Sequence, residues 1–130
     1  MTRRDRKLCL YEEVMLLALR NDRGTIAGGT MYAQAAGGAI LADLLLRGRV
    51  TAVADGRSTY ADVHDATPVG DPVLDECLVK MSGAKKRGKL QAWVQRFAGI
   101  RGLKHRVAVG LADKGILRTS EEQVLLNRQA

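Results

Sequence analysis

The sequence predicts a mostly α-helical fold: a buried central helix surrounded by amphipathic helices, with one or two short β-hairpins. Three observations predict it. From Ala39 to Leu46 only Asp43 is polar, and a helix that is apolar all round belongs inside a protein. Leu74, Cys77, Leu78 and Met81 follow the i, i+3, i+4, i+7 spacing of a one-sided helix, and so do Leu90, Trp93, Val94 and Phe97. Val50 to Ala54 is rich in strand formers and runs into Asp55-Gly56, a two-residue hairpin signal. A chain of 130 residues is one domain by size, able to bury roughly two thirds of its unfolded surface.

Taken in order, Leu8-Cys9-Leu10 alternates briefly before a helix from Tyr11 to Arg20, with Glu12 and Glu13 at the positive end of its dipole. Val14, Leu17 and Ala18 form its inward stripe, with Met15 and Leu19 beside them. Asn21-Asp22-Arg23-Gly24 is a turn by its chemistry. Gly28-Gly29-Thr30 precedes the central helix, which is expected from Met31 to Arg47 and about 25 Å long at ~1.5 Å per residue. That is short of the ~20 mostly apolar residues of a membrane span. Arg47 suits the negative end of the helix, and Gly48 supplies a left-handed stop.

Tyr60 to His64 returns the hairpin. Asp71 is placed to cap the next helix, Pro72 fits its first position, and Asp75 and Glu76 favour its first turn. Ser82-Gly83 ends that helix, Lys85 to Lys89 is a basic linker, and the Trp93 helix follows, with Trp93 read as core. A last helix is expected from Ile100 to Lys114, with Ile100, Leu103, Val107 and Leu111 inward. Arg101, Lys104 and His105 then share one stripe. Lys114-Gly115-Ile116-Leu117 leads into a short strand, Ser120 to Gln123 is a polar tip, and Val124 to Leu126 begins a return.

Catalytic constellations do not emerge from the sequence. His64-Asp65 has no nucleophile nearby, and Ser58 lies in the hairpin without a GxSxG elbow. Gly28-Gly29 is followed by neither a Gly-Lys-Ser/Thr nor a GxGxxG pattern, so no phosphate-cradling loop is expected there. The carboxylate pairs Glu12-Glu13 and Asp75-Glu76 stand at helix starts, where dipole compensation accounts for them. Cys9 and Cys77 lack CxxC or zinc-finger spacing and read as reduced core residues. No enzyme activity, metal or cofactor is therefore expected. The first residues lack the apolar stretch of a signal peptide, which places the expected location in the cytoplasm.

The formal net charge is +7, and it is concentrated. Between Val79 and Ala112 there are nine Lys or Arg and no Asp or Glu, so the remainder sums to −2. Such a segment either serves as a solvated face or meets a polyanionic partner: lipid headgroups, nucleic acid or an acidic protein.

Four stretches, in order, resemble the Golgi phosphoprotein 3 family. They are Leu8 to Leu19 with Asp22-Arg23-Gly24, then Gly38 to Arg49, then Gly70 to Glu76, and finally Leu111 to Leu117. The resemblance covers residues 8 to 126, so that 1–130 reads as a single domain of this family. It implies a mostly helical peripheral membrane protein that binds phosphatidylinositol 4-phosphate at the cytosolic face of a membrane. It further implies protein partners, and self-association through the C-terminal hairpin. The family continues past that hairpin, which makes this a shortened member or a fragment. Family members surround the phosphorylated headgroup with one Trp and three Arg. Two of the Arg positions fall on Arg101 and Lys104, the expected headgroup ligands here, while the Trp and third Arg positions fall on Gly28 and Gly37. Two other readings stay open at this point. One is a member that kept the fold, lost lipid binding and serves as a protein-interaction module. The other is a winged-helix-like nucleic-acid binder, since a basic helix ahead of a hairpin carries the same charge signature.

Overall fold

The computed structural model describes residues 8–21 and 26–115. Its elements run α1 (Leu10–Asn21), α2 (Ile26–Leu46), β1 (Val50–Asp55), β2 (Ser58–Val63), α3 (Pro72–Ser82), β3 (Gly88–Lys89), α4 (Leu90–Ala98) and α5 (Leu103–Asp113). The expected class holds: helices predominate around one small antiparallel sheet.

The central helix is α2, which packs against α1, α3, α4 and β1. Ala36, Ile40 and Leu44 on it are fully enclosed. It begins at Ile26 rather than Met31, so Gly28-Gly29-Thr30 lies inside the helix. Each mid-helix glycine costs ~1 kcal/mol relative to alanine, but tertiary packing decides helix length more than propensity does. Gly37 shows what a small residue provides. A Cβ there would lie 2.3 Å from the Val94 carbonyl oxygen and 2.9 Å from the Ala98 nitrogen, so α2 and α4 meet backbone to backbone. At the far end Gly48 takes φ +73. Its N–H reaches the Leu45 carbonyl at 3.1 Å, and that of Arg49 reaches Leu44 at 2.9 Å, the paired bonds of a Schellman stop. Arg47 lies one residue beyond the helix.

Asp43, the lone polar residue of the apolar run, is buried and accepts the N–H groups of Leu10 at 2.9 Å and Tyr11 at 3.2 Å. It thereby satisfies orphan donors at the start of α1 from a different helix. The inward face of α1 is Tyr11, Glu12 and Met15, whereas Leu17, expected inside, is 61% exposed. Glu12 turns inward because it has partners there: Oε1 accepts the Cys9 N–H at 2.9 Å and meets the Lys114 ammonium at 2.6 Å. It is a structural ion pair joining α1 to the end of α5, beyond the dipole role read from its position.

Strands β1 and β2 pair with Val50 opposite Val63 and Asp55 opposite Ser58. The turn is therefore Gly56-Arg57, one residue later than Asp55-Gly56, with Gly56 at φ +65. A third strand, β3, pairs Ala61 with Gly88 and Tyr60 with Lys89, so the basic linker ends in sheet. For α3 the expected start holds: Asp71 accepts the Leu74 N–H at 3.0 Å and Pro72 opens the helix. Trp93 and Phe97 are core, with ring centroids 5.6 Å apart. Cys9 and Cys77 are buried free thiols, each pushed up to about 12 chiefly by burial. The predicted turn at Asp22-Arg23-Gly24 and the strands expected from Ile116 onward lie outside the described residues.

Candidate functional site

The two residues expected to hold a headgroup come together at the start of α5, in a different arrangement from the one expected. Residues 100–114 are not one helix. After α4 ends at Gly99, the chain turns through Ile100, Arg101 and Gly102, and Gly102 sits at φ +68. A left-handed residue interrupts an α-helix. Arg101 is thus in the turn, exposed, and Lys104 is in the first turn of α5, half-buried. They flank a helix N-terminus instead of sharing a stripe with His105.

That N-terminus is unusual in its electrostatics. Gly102 offers no side-chain cap and the first turn holds no acidic residue. The backbone already places a partial positive charge there, and two cations add to it. Neither Arg101 nor Lys104 has a carboxylate partner among the described residues. The Lys104 ammonium lies 5.9 Å from the centre of the Tyr32 ring, at the outer reach of a cation–π contact. Tyr32 itself is buried on α2, and its hydroxyl has no hydrogen-bond partner among the described residues. Burial pushes that phenol upward, so it stays neutral. The Leu103 N–H already reaches the Ile100 carbonyl at 3.3 Å, and it is the helix dipole with the two cations that makes a place suited to an anion.

Gly28 and Gly37 contribute no side chain to this end of the molecule. Gly28 lies within α2 and Gly37 is the point of contact with α4.

The remaining cations of the acid-free segment divide in two. Arg87 bridges Asp55 at 3.1 Å and Asp62 at 2.9 Å and lies 4.6 Å over the Tyr60 ring. Those contacts hold the Asp62 carboxyl below its ordinary value. Glu76 takes Arg106 at 2.9 Å and Lys80 at 3.5 Å. All three acids come from outside Val79–Ala112, which is why sequence proximity did not reveal them. Lys85, Lys86, Lys89 and Arg96 join Arg101 and Lys104 in meeting no carboxylate among the described residues.

One other cluster has metal-ligand chemistry. Cys9, Glu12 and Asp71 bring ligand atoms within 4.8 Å of one another. Their capacity is already used: Asp71 accepts the Tyr11 hydroxyl, 2.9 and 2.7 Å from its two oxygens, and the Leu74 N–H, while Glu12 holds Lys114. The Cys9 thiol is kept protonated by burial and by the neighbouring carboxylates. This is a structural cluster.

The profile of the Golgi phosphoprotein 3 (GPP34) family matches residues 10–130. The chain belongs to the Golgi phosphoprotein 3 family. It is also similar to vacuolar protein sorting-associated protein 74 of Eremothecium gossypii, at 31% identity over 142 aligned residues. The match covers 95% of this chain and 43% of that relative, so the chain spans less than half the relative's length. Among the described residues no helix is long and apolar enough to cross a membrane.

Proposed function

We propose that this family member is a non-catalytic peripheral membrane protein of the cytosolic face. It receives the phosphate of a phosphatidylinositol 4-phosphate-like or other anionic lipid headgroup at the start of α5, through Arg101 and Lys104. Residues 1–130 act in this reading as one domain. A single observation carries it: two cations without carboxylate partners flank a helix N-terminus that has neither a side-chain cap nor an acid in its first turn. For the isolated helix this arrangement is unfavourable, and an incoming phosphate reverses the sign. Lys104 acts as a point charge and Arg101 offers a planar fork with two parallel donors.

Each basic residue near an anionic membrane contributes about 1 kcal/mol. The pair therefore supplies about 2 kcal/mol, and the other unpaired cations add to it where they face the same surface. Binding of this kind is reversible and weakens as the Debye length shrinks to ~8 Å at physiological salt. Co-sedimentation with vesicles of phosphatidylcholine alone, with phosphatidylserine, and with phosphatidylinositol 4-phosphate tests it at low and physiological salt. Binding that falls at least tenfold in Arg101→Ala/Lys104→Ala supports the reading. Absence of binding to any anionic vesicle, or binding indifferent to that double substitution, overturns it.

A further inference from the structure

A second basic feature is built from other residues around another cavity. The end of α3, the connection after it and the body of α4 enclose an open groove of about 590 Å³, with Lys80, Lys85, Lys86 and Arg96 around Trp93 and Phe97. No acidic residue lines it. Lys80 lies 3.5 Å from Glu76, but both groups are solvent-accessible and the other Glu76 oxygen already holds Arg106 at 2.9 Å. Exposed pairs of that kind hold a side chain weakly. Lys85, Lys86 and Arg96 meet no carboxylate among the described residues.

Two of these cations have a local reason to be present. Lys80 is in the last turn of α3 and Arg96 in the last turn of α4, where a positive charge complements the helix dipole. Lys85 and Lys86 have no such reason, since they lie between the end of α3 and β3. Four positive side chains around one concave surface repel one another and raise the local potential. Arg96 is also held in place: its guanidinium carbon lies 4.7 Å over the Trp93 ring. Stacking on an aromatic face leaves the guanidinium edge available to hydrogen-bond an oxyanion.

A groove of about 490 Å³ between α1, α3 and α5 provides a contrast. Acids and bases are mixed in its lining, where Tyr11 donates to Asp71 and Glu12 pairs with Lys114. Of these two, the Lys80–Arg96 groove is the one with cations in excess.

We propose that this groove binds a phosphate group, borne by a lipid headgroup or by a small soluble phosphate compound. The inference uses none of the residues assigned to the headgroup at α5 and does not depend on that assignment.

Trp93 is the only tryptophan in the chain, so its emission reports on this groove. The experiment follows Trp93 fluorescence of the full chain during titration with inorganic pyrophosphate and, separately, with phosphatidylcholine vesicles with and without phosphatidic acid. A saturable change is expected, at least tenfold weaker in Lys85→Ala/Lys86→Ala and in Arg96→Gln, and the titration with soluble pyrophosphate keeps a saturable response in Arg101→Ala/Lys104→Ala. The lysine pair is exposed and partnerless, so an unchanged circular dichroism spectrum is expected for that variant. A response to pyrophosphate supports a soluble source, and one to phosphatidic acid vesicles alone supports a headgroup. Either upholds the site. No saturable change with either probe overturns it. So does a change that survives the lysine substitutions, or a pyrophosphate response abolished by Arg101→Ala/Lys104→Ala instead, which assigns the phosphate to the start of α5. Should vesicle binding fail while pyrophosphate still titrates Trp93, the headgroup reading fails and this one stands.

Discussion

The starts of α3 and α5 pose the same physical problem and receive opposite treatment. Both leave donors unsatisfied and both carry the positive end of a helix dipole. At α3 the chain supplies negative charge: Asp71 caps Leu74, Asp75 accepts the Val69 and Gly70 N–H groups at 2.7 and 3.2 Å, and Tyr11 donates to Asp71. At α5 it supplies none; Gly102 has no side chain, and Arg101 and Lys104 stand close by. One end is completed from within the fold. The other is left without an acid or a side-chain cap, which is the opening that the proposed headgroup reading fills.

The largest effect that sharpens this contrast is alkaline. Cys9, Tyr11 and Cys77 surround or belong to the α3 end, and burial raises all three groups, with Asp71 adding to it. Below pH 9 they are protonated whether the chain is folded or not. As pH rises past 9 the unfolded chain ionises first and binds fewer protons, so stability falls until the folded thiols titrate near 12. Urea midpoints are therefore expected to be level up to about pH 9 and then to decline steeply. A midpoint level to pH 11 contradicts the environment described for the α3 end.

Asp71→Ala comes next. It removes a cap, costing about 1 kcal/mol, and leaves a buried tyrosine hydroxyl unpaired, costing about 1–3 kcal/mol. A loss of roughly 2–4 kcal/mol in urea denaturation is expected, and Asp71→Asn, which keeps an acceptor, should lose markedly less.

At α5, Lys104→Glu is expected to separate stability from binding. An acid in the first turn gains about 0.3–1 kcal/mol, partly offset by the lost contact with Tyr32, so the urea midpoint should barely move. Reversing one charge near an anionic surface costs about 2 kcal/mol, so vesicle affinity should fall roughly thirtyfold. Stability and affinity falling together would break the comparison. Arg101→Ala is the mildest case: about a fivefold loss of vesicle binding from removing one cation, with a stability change within about 0.5 kcal/mol for an exposed residue.

Local chemistry was legible in the sequence wherever cause and effect lie a few residues apart. The Asp71-Pro72 start, the Gly48 stop and the spacing that buries Leu74, Cys77, Leu78 and Met81 emerged as read, as did the apolar run of α2 through Leu44, while Leu46 at its end is 80% exposed. What sequence spacing conceals is partnership across the fold. Asp43 caps a helix 33 residues earlier and Glu12 meets a lysine 102 residues later. The acids that neutralise Arg87 and Arg106 lie outside the basic segment altogether. The break at Gly102 did have a signal, since Gly99 and Gly102 bracket Arg101, but the inward periodicity of Ile100, Leu103 and Val107 ran across it. Arg101 and Lys104 therefore lie on either side of Gly102 rather than on one helical stripe. The Lys80–Arg96 groove had only its charge to announce it, because the concavity is made by two helices and a linker.

The contact at Gly37 reaches beyond packing. Where the family resemblance implies an arginine, this chain has a bare Cα pressed against the backbone of α4. Grafting the missing guanidinium by one codon change would drive α4 away from the helix it leans on. The atoms that a side chain at Gly37 would meet are backbone rather than the end of a flexible side chain, so relief there requires α4 to shift as a body.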